Sequence, residues 1–354
     1  MVSRATSFTS IPVVDISALR STDAAGSVAV AAEIGKAARE VGFFYIAGAG
    51  VPEKLFERLL TVAKQFFALP LEEKMRIHVA LSKNHRGYAP GGEESLVDEK
   101  PRLKEAFTCA LDLPLDDPDH LAGNPLLGPN VWPDIPGFAD TVTAYYHAVL
   151  DVGRLLLRSF AVALGEDPDY FTRNATKTPS QFGLLHYPYD PDYDDARPVV
   201  GPHSDYECVT LLRPTAPGLE VLNGAGEWID APPIPGTFIV NIGDMLELWT
   251  NGEFIATTHR VRNVSEDRYA FPVFFSVDYD TVIEPLPRLA SRDGRTRRAM
   301  RAGEHLWAQT VQSFAYLRAR LERGELHLPD GAVKYGSFGQ GALQGASAPG
   351  PGGF

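Results

Sequence analysis

The stretch Gly201-Pro202-His203-Ser204-Asp205-Tyr206, with Val209-Thr210-Leu211-Leu212 close behind it, decides how this chain is read. Along an extended strand, residues i and i+2 point to the same side. His203 and Asp205 therefore aim an imidazole and a carboxylate into a common space. The β-branched and apolar run at 209–212 favours strand over helix. By itself a His-x-Asp tripeptide is equally read as a hydrogen-bonded histidine and an aspartate near a strand end. Among the nine histidines, His259 is the best third donor, in the β-like run Thr257-Thr258-His259-Arg260-Val261. Arg268 follows nine positions later, at the head of Phe271-Pro272-Val273-Phe274-Phe275. A guanidinium there can grip a carboxylate through two parallel hydrogen bonds.

Two histidines and one carboxylate on one face of a metal leave three adjacent positions open, which is the ligand set of non-haem Fe(II) oxygenases. His203-Ser204-Asp205-Tyr206 with Val209-Thr210-Leu211-Leu212 resembles the His-x-Asp segment of the isopenicillin N synthase-like, 2-oxoglutarate-dependent oxygenase superfamily. The run from Asn251-Gly252 to Thr258-His259-Arg260-Val261 resembles the segment bearing that family's second histidine. Gly42-Phe43-Phe44 through Phe66-Phe67-Ala68-Leu69-Pro70-Leu71-Glu72-Glu73-Lys74 resembles its N-terminal region, so the likeness spans about residues 10 to 325. The resemblance implies an α+β fold with a double-stranded β-helix, or jelly-roll, core and flanking helices. It also implies Fe(II) held by His203, Asp205 and His259.

The composition sets limits on other functions. The chain has 354 residues and a formal net charge of −12. That charge argues against a general binder of nucleic acid or anionic membrane, both of which need basic surface. Two cysteines, Cys109 and Cys208, are too few for a disulfide framework or a thiolate metal site. No apolar run approaches a membrane span, and residues 1–10 lack the apolar centre of a signal peptide. The expectation is a cytoplasmic protein acting on a small molecule. Its oligomeric state cannot be read from the sequence.

Along the chain, Ile11 to Ile16 reads as a short strand, and Asp23 as the cap of a helix over 24–41. Gly42 to Ile46 reads as a buried strand, and Pro52 as the start of a helix with one apolar face. A longest helix is expected from Pro136 to about Leu164, with Gly165 as its stop. Short β-like runs then follow to about Asp278, and a last amphipathic helix from Gly303 to about Arg323. The expected organisation is an N-terminal α/β region over 1–135 packed on an oxygenase core over 136–335. A glycine-rich, disordered tail over 336–354 completes it.

The resemblance assigns further roles. Fe(II) offers two open positions to the oxo acid group of 2-oxoglutarate and one to O2, and the cosubstrate is decarboxylated to succinate and CO2 as the substrate is oxidised. The oxidation expected is hydroxylation, desaturation or ring closure. Arg268 matches the arginine of the family's Arg-x-Ser motif, which holds the distal carboxylate of 2-oxoglutarate, and Tyr187 matches a tyrosine that assists. Here the motif reads Arg268-Tyr269-Ala270, so the serine hydroxyl is missing. Tyr88, in Arg86-Gly87-Tyr88, matches a Gly-Tyr segment near the mouth of the family's pocket and is a candidate substrate contact. Asp244, in Asn241-Ile242-Gly243-Asp244, matches a turn residue and not a ligand. Two rivals stand beside this reading. One is an Fe(II) oxidase of the same fold that needs no 2-oxoglutarate, as in isopenicillin N synthase. The other is a non-catalytic jelly roll, metal-free or zinc-bound, that serves as a binding protein.

Overall fold

The computed structural model describes residues 5–94, 104–192, 198–263, 265–290, 299–330 and 332–333. The strands that position the site are β1 (Val13–Asp15), β2 (Phe43–Ala47), β3 (Gly87–Ala89), β4 (Glu105–Ala110), β5 (Gln181–Tyr187) and β6 (Val200–His203). They continue with β7 (Val209–Pro214), β8 (Leu219–Leu222), β9 (Trp228–Asp230), β10 (Phe238–Ile242), β11 (His259–Val261) and β12 (Arg268–Phe275). One sheet runs β1-β2-β10-β7-β12-β5-β4-β3, and a second runs β6-β11-β8-β9. Apart from the parallel β1–β2 pair, the pairings within these two sheets are antiparallel. The fold is α+β, with a jelly-roll core of two facing sheets and helices on the outside of the larger one.

Strand β10, Phe238-Ile239-Val240-Asn241-Ile242, is buried at every position because material covers both of its faces. The region before residue 135 supplies both edges of the large sheet, β1 and β2 on one side and β3 and β4 on the other. The helix Ala24–Glu40 is capped as expected, Asp23 accepting a hydrogen bond from the Gly26 N–H at 2.9 Å.

The longest helix spans Phe138–Ala163 and is entered through Gly137 at φ 74°, which delays its start by two residues from Pro136. Phe138, Val142, Tyr145, Val149, Val152 and Leu156 recur at helical spacing and are buried. Each such side chain taken from water contributes roughly 1.5–3 kcal/mol. Contact with β12 is close: a Cβ at Gly153 would lie 2.3 Å from the Phe275 ring, so only glycine fits.

Two expectations are corrected. The final helix is two, Ala302–Ser313 and Ala315–Glu322, separated at Phe314, whose backbone is extended (φ −102°, ψ 129°). Phe314 forms a β-bridge with Glu94, and the Ala315 N–H donates to the Glu93 carbonyl at 2.8 Å. Asp244, read as a turn residue, instead opens the helix Asp244–Trp249. The glycine-rich end, expected to be disordered, lies outside the described residues.

Candidate active site

His203 and His259 are cross-strand partners, on β6 and β11 of the smaller sheet. Strand β6 ends at His203, so Asp205 sits just beyond it, in the loop leading to β7. The carboxylate converges with the imidazoles all the same. One ligand atom from each of the three residues lies within 4.8 Å of the others. Asp205 Oδ1 is 3.6 Å from His203 Nε2 and 3.5 Å from His259 Nε2.

Each ligand is oriented by its far side. His203 Nδ1–H donates to the Gly201 carbonyl at 2.9 Å, and His259 Nδ1–H to the Thr257 carbonyl at 3.2 Å. A carbonyl can only accept, so both protons sit on Nδ1 and both Nε2 lone pairs point inward. Asp205 Oδ2 accepts from Thr210 Oγ1 on β7 and from Asn241 Nδ2 on β10, the latter at 2.8 Å, which leaves Oδ1 for the centre. Burial opposes the negative charge of Asp205, but the positive charge that His259 and His203 carry when protonated in the absence of metal, with these two donors, outweighs it and holds the carboxyl below its usual range. Phe43 sets its ring edgewise against His259, with centroids 5.2 Å apart.

The loop carrying Asp205 is pinned from beneath by the first turn of the helix Asp244–Trp249. Gly243 N–H donates to the Cys208 carbonyl at 3.0 Å, Asp244 N–H to that of Asp205 at 2.8 Å, and Met245 N–H to that of Glu207 at 3.1 Å. A Cβ at Gly243 would lie 2.2 Å from the Glu207 carbonyl oxygen, so the loop sits this low only over glycine. Burial, with the Asp205 charge adding to it, raises the pKa of Glu207.

The cavity between the sheets brings His203, Asp205 and His259 together with Arg268, Tyr187 and Ala270. Arg268 is 1% exposed. Its Nε donates to the Ala216 carbonyl at 3.2 Å, while Nη1 is buried with no hydrogen-bond partner among the described residues. Arg268 pairs across the strands with Tyr187, and its guanidinium carbon lies 4.8 Å from the Tyr187 ring centre. A buried guanidinium nitrogen without an acceptor is costly unless an anion arrives. Two imidazoles and one carboxylate oxygen aimed inward fit Fe(II), and the open guanidinium fits a dicarboxylate beside it.

The structure does not bring Tyr88 to this cavity. It is buried on the other side of the large sheet, packed on Phe66 at 5.9 Å, and its hydroxyl donates to Glu105 Oε2 at 2.6 Å. Thr210, Asn241, Lys104 and Glu94 are among the cavity residues that the sequence did not single out. A polar Asn241 inside the apolar run of β10 was the one available sign.

Comparison with known proteins gives a consistent picture. A family model described as the 2OG-Fe(II) oxygenase superfamily matches residues 179–277, and one described as the non-haem dioxygenase in morphine synthesis N-terminal region matches residues 11–135. A homoarginine-6-hydroxylase of Glycine max is 35% identical, covering 88% of this chain and 100% of that protein. One of Oryza sativa is 34% identical, covering 87% and 98%. A full-length Neurospora crassa protein, crystallised in complex with α-ketoglutarate and thymine, superposes with a TM-score of 0.74 at 26% identity, covering 89% of this chain and 97% of that one.

Proposed function

The chain belongs to the 2OG-Fe(II) oxygenase superfamily, and from that premise we propose that His203, Asp205 and His259 hold its Fe(II) and that Arg268 with Tyr187 holds its 2-oxoglutarate. The substrate is a small molecule, and the reaction is hydroxylation, R–H + O2 + 2-oxoglutarate → R–OH + succinate + CO2. The observation that carries this reading is three ligand atoms within 4.8 Å sharing a cavity with a buried arginine that keeps one nitrogen free. Among the described residues no helix is long and apolar enough to cross a membrane.

When bound, Fe(II) supplies the open coordination positions and the redox chemistry with O2 that couples decarboxylation of the cosubstrate to substrate oxidation. The protein's part is placement. The Gly201 and Thr257 carbonyls fix the histidine tautomers, so neither ring must lose a proton to bind metal. Thr210 and Asn241 keep Asp205 ionised and turned one way. Arg268, buried beneath Tyr187, meets the distal carboxylate with water excluded, where charge-assisted hydrogen bonds are strongest. Ala270 lines the same wall and brings no hydroxyl to that carboxylate.

The test is succinate release from 2-oxoglutarate by purified protein supplied with a mixture of small metabolites as the source of R–H, with Fe(II), O2 or the oxo acid omitted in turn. Each omission is expected to abolish release. Substrate oxidation at full rate with no oxo acid present would overturn the reading in favour of the oxidase rival.

A further inference from the structure

The two histidines of the triad are both held through Nδ1–H, but the carbonyls that hold them stand on different supports. Gly201 lies inside β6, where sheet pairing helps to orient its peptide. Thr257 lies two residues before β11 begins, and residues 254–258 belong to no strand. They are buried all the same: from Phe254 to Thr258 no residue is more than 3% exposed. A buried segment outside a sheet must find its hydrogen bonds elsewhere.

Much of that support comes from the N-terminal region. The helix Ala24–Glu40 has Val41 as its C-cap, and the chain leaves it through Gly42 at φ 74°. The last carbonyls of a helix have no donor within the helix. Here the Ala38 carbonyl accepts from the Ile255 N–H at 3.1 Å, and the Val41 carbonyl accepts from the Thr257 hydroxyl at 2.6 Å. The approach is tight: a Cβ at Gly42 would lie 2.2 Å from the Ile255 carbonyl oxygen and 2.3 Å from Thr257 Oγ1. One residue further on, Phe43 sets its ring against His259. From the other side, Glu247 Oε2 accepts from the Ala256 N–H at 2.7 Å.

Thr257 is tied at two points. Its hydroxyl donates to Val41, and its own carbonyl accepts from His259 Nδ1–H at 3.2 Å. A neutral imidazole can carry its proton on either nitrogen, and the hydrogen bond made by one decides whether the other is free to bind metal. A contact of 3.2 Å is at the long end of the N–H···O range, so a small rotation of the Thr257 peptide breaks it. Without that acceptor the proton can move to Nε2, and a protonated Nε2 has no lone pair for a metal. Resting on the reading that His259 binds Fe(II), we propose that Thr257 is a positioning residue of the metal centre. Its hydroxyl, anchored on the end of the helix Ala24–Glu40, holds in place the carbonyl that keeps the His259 proton on Nδ1. The N-terminal region is then a working part of the metal centre, and iron affinity depends on a hydrogen bond to residue 41.

The experiment uses the full chain. Histidine labelled with 15N in the ring reports the tautomers of the metal-free protein by NMR, at a pH where the rings are neutral. The His259 signals are assigned by their loss in His259→Ala. Wild type is expected to carry the His259 proton on Nδ1. Thr257→Val keeps the shape of threonine and removes the hydroxyl, so a share of the Nε2–H form is expected to appear. Anaerobic titration with Fe(II) is expected to read about tenfold weaker binding in that variant, the lower end of what losing an outer contact to a ligand costs. Thr257→Ser retains the hydroxyl and is expected to restore both readings. Gly42→Ala leaves Thr257 intact but crowds its hydroxyl from the helix side, and is expected to give the same two changes as Thr257→Val. A lower melting temperature in Thr257→Val with tautomer and iron affinity unchanged would show that the bond only ties two segments together, and would overturn the proposal. So would a wild-type His259 that carries its proton on Nε2. Iron bound by His259→Ala as tightly as by wild type would break the ligand reading itself. Unchanged affinity in Thr257→Val beside weak binding in His259→Ala would break this inference alone.

Discussion

Strands β4, β5 and β12 carry polar clusters on both faces, and neighbouring residues belong to opposite ones. Toward the helix Glu53–Phe67, Glu105 Oε2 accepts from Lys74 Nζ at 2.7 Å and Tyr88 Oη at 2.6 Å, and Glu105 Oε1 lies 2.8 Å from His186 Nδ1. Burial works against the Glu105 charge, but His186, Lys74 and Tyr88 more than compensate and lower its pKa. His186 is stacked on Tyr269, with centroids 4.6 Å apart. Toward the cavity, one residue along each strand, stand Tyr187 and Arg268. There, among the described residues, Arg268 Nη1 has no hydrogen-bond partner, and Asp205 Oδ1 lies 3.5–3.6 Å from both histidine Nε2 atoms. Both clusters are buried and charged, so neither property identifies a site. The difference is that the Glu105 carboxylate is closed by its own neighbours, while the cavity cluster is complete only with something added.

That contrast is broken or sharpened by substitution on each side. The largest effect is expected from His259→Ala, which removes one ligand and should abolish Fe(II)-dependent succinate release while circular dichroism stays native. Near-normal iron content and turnover in that variant would place the third ligand elsewhere. Next comes Asn241→Ala, which leaves Asp205 Oδ2 with one donor of two. Loss of such a supporting contact typically costs 10–100-fold in metal affinity. A titration of iron into apo protein reads it, and an unchanged affinity would mean that Thr210 alone orients the carboxylate.

These two residues also mark how far the sequence could be read. That His203, Asp205, His259, Arg268 and Tyr187 share one cavity was legible because local strand periodicity and motif order carry them. Asn241 and Thr210 act through pairing of β10 with β7, a contact between segments some thirty residues apart that no local pattern encodes. Tyr88 was misplaced for a related reason. A Gly-Tyr segment looks the same whichever way the strand turns, and pairing of β3 on β4 sets its ring beside Phe107 in the helix-side core. The break at Phe314 was hidden because Leu306, Thr310, Phe314, Leu317 and Leu321 keep helical spacing across it. Only the bridge to Glu94, more than two hundred residues away, shows it. The helix Asp244–Trp249 is six residues long, too short for periodicity to separate from a turn.

On the closed side, Glu105→Leu leaves Lys74, 7% exposed, without its carboxylate. Removing one partner of a buried pair costs about 3–5 kcal/mol. Denaturant unfolding should show a loss of that order, and the KM for 2-oxoglutarate of the folded fraction should stay near wild type. A selective loss of 2-oxoglutarate affinity at unchanged stability would mean that the two faces are not separate in function. The milder Tyr88→Phe removes a single hydrogen bond to a charged acceptor, worth about 1.5–3 kcal/mol. It should lower stability by at most that amount without altering any substrate KM.

The smallest effect is expected on the open side, at Ala270. Positions 268 and 270 alternate to the same face of β12, and both line the cavity, so a serine hydroxyl at 270 would stand beside the carboxylate that Arg268 receives. A hydrogen bond to a charged group contributes about 1.5–3 kcal/mol, roughly ten- to a hundredfold in affinity. The wild-type deficit should be smaller than that, because Tyr187, set against Arg268 at 4.8 Å, or an ordered water supplies part of the same donation. Ala270 is 1% exposed, and the added oxygen must fit among Leu185, Tyr187 and Val200, which takes back some of the gain. The net expectation is that Ala270→Ser lowers the KM for 2-oxoglutarate several-fold with little change in kcat, read from paired titrations at saturating Fe(II) and substrate. Because Arg268, whose Nη1 has no hydrogen-bond partner among the described residues, shares its strand face with position 270, the added donor should act on 2-oxoglutarate and not on the substrate KM. A serine variant with an unchanged or higher 2-oxoglutarate KM would show that the cosubstrate's carboxylate does not reach position 270, and that Arg268 holds it from another direction.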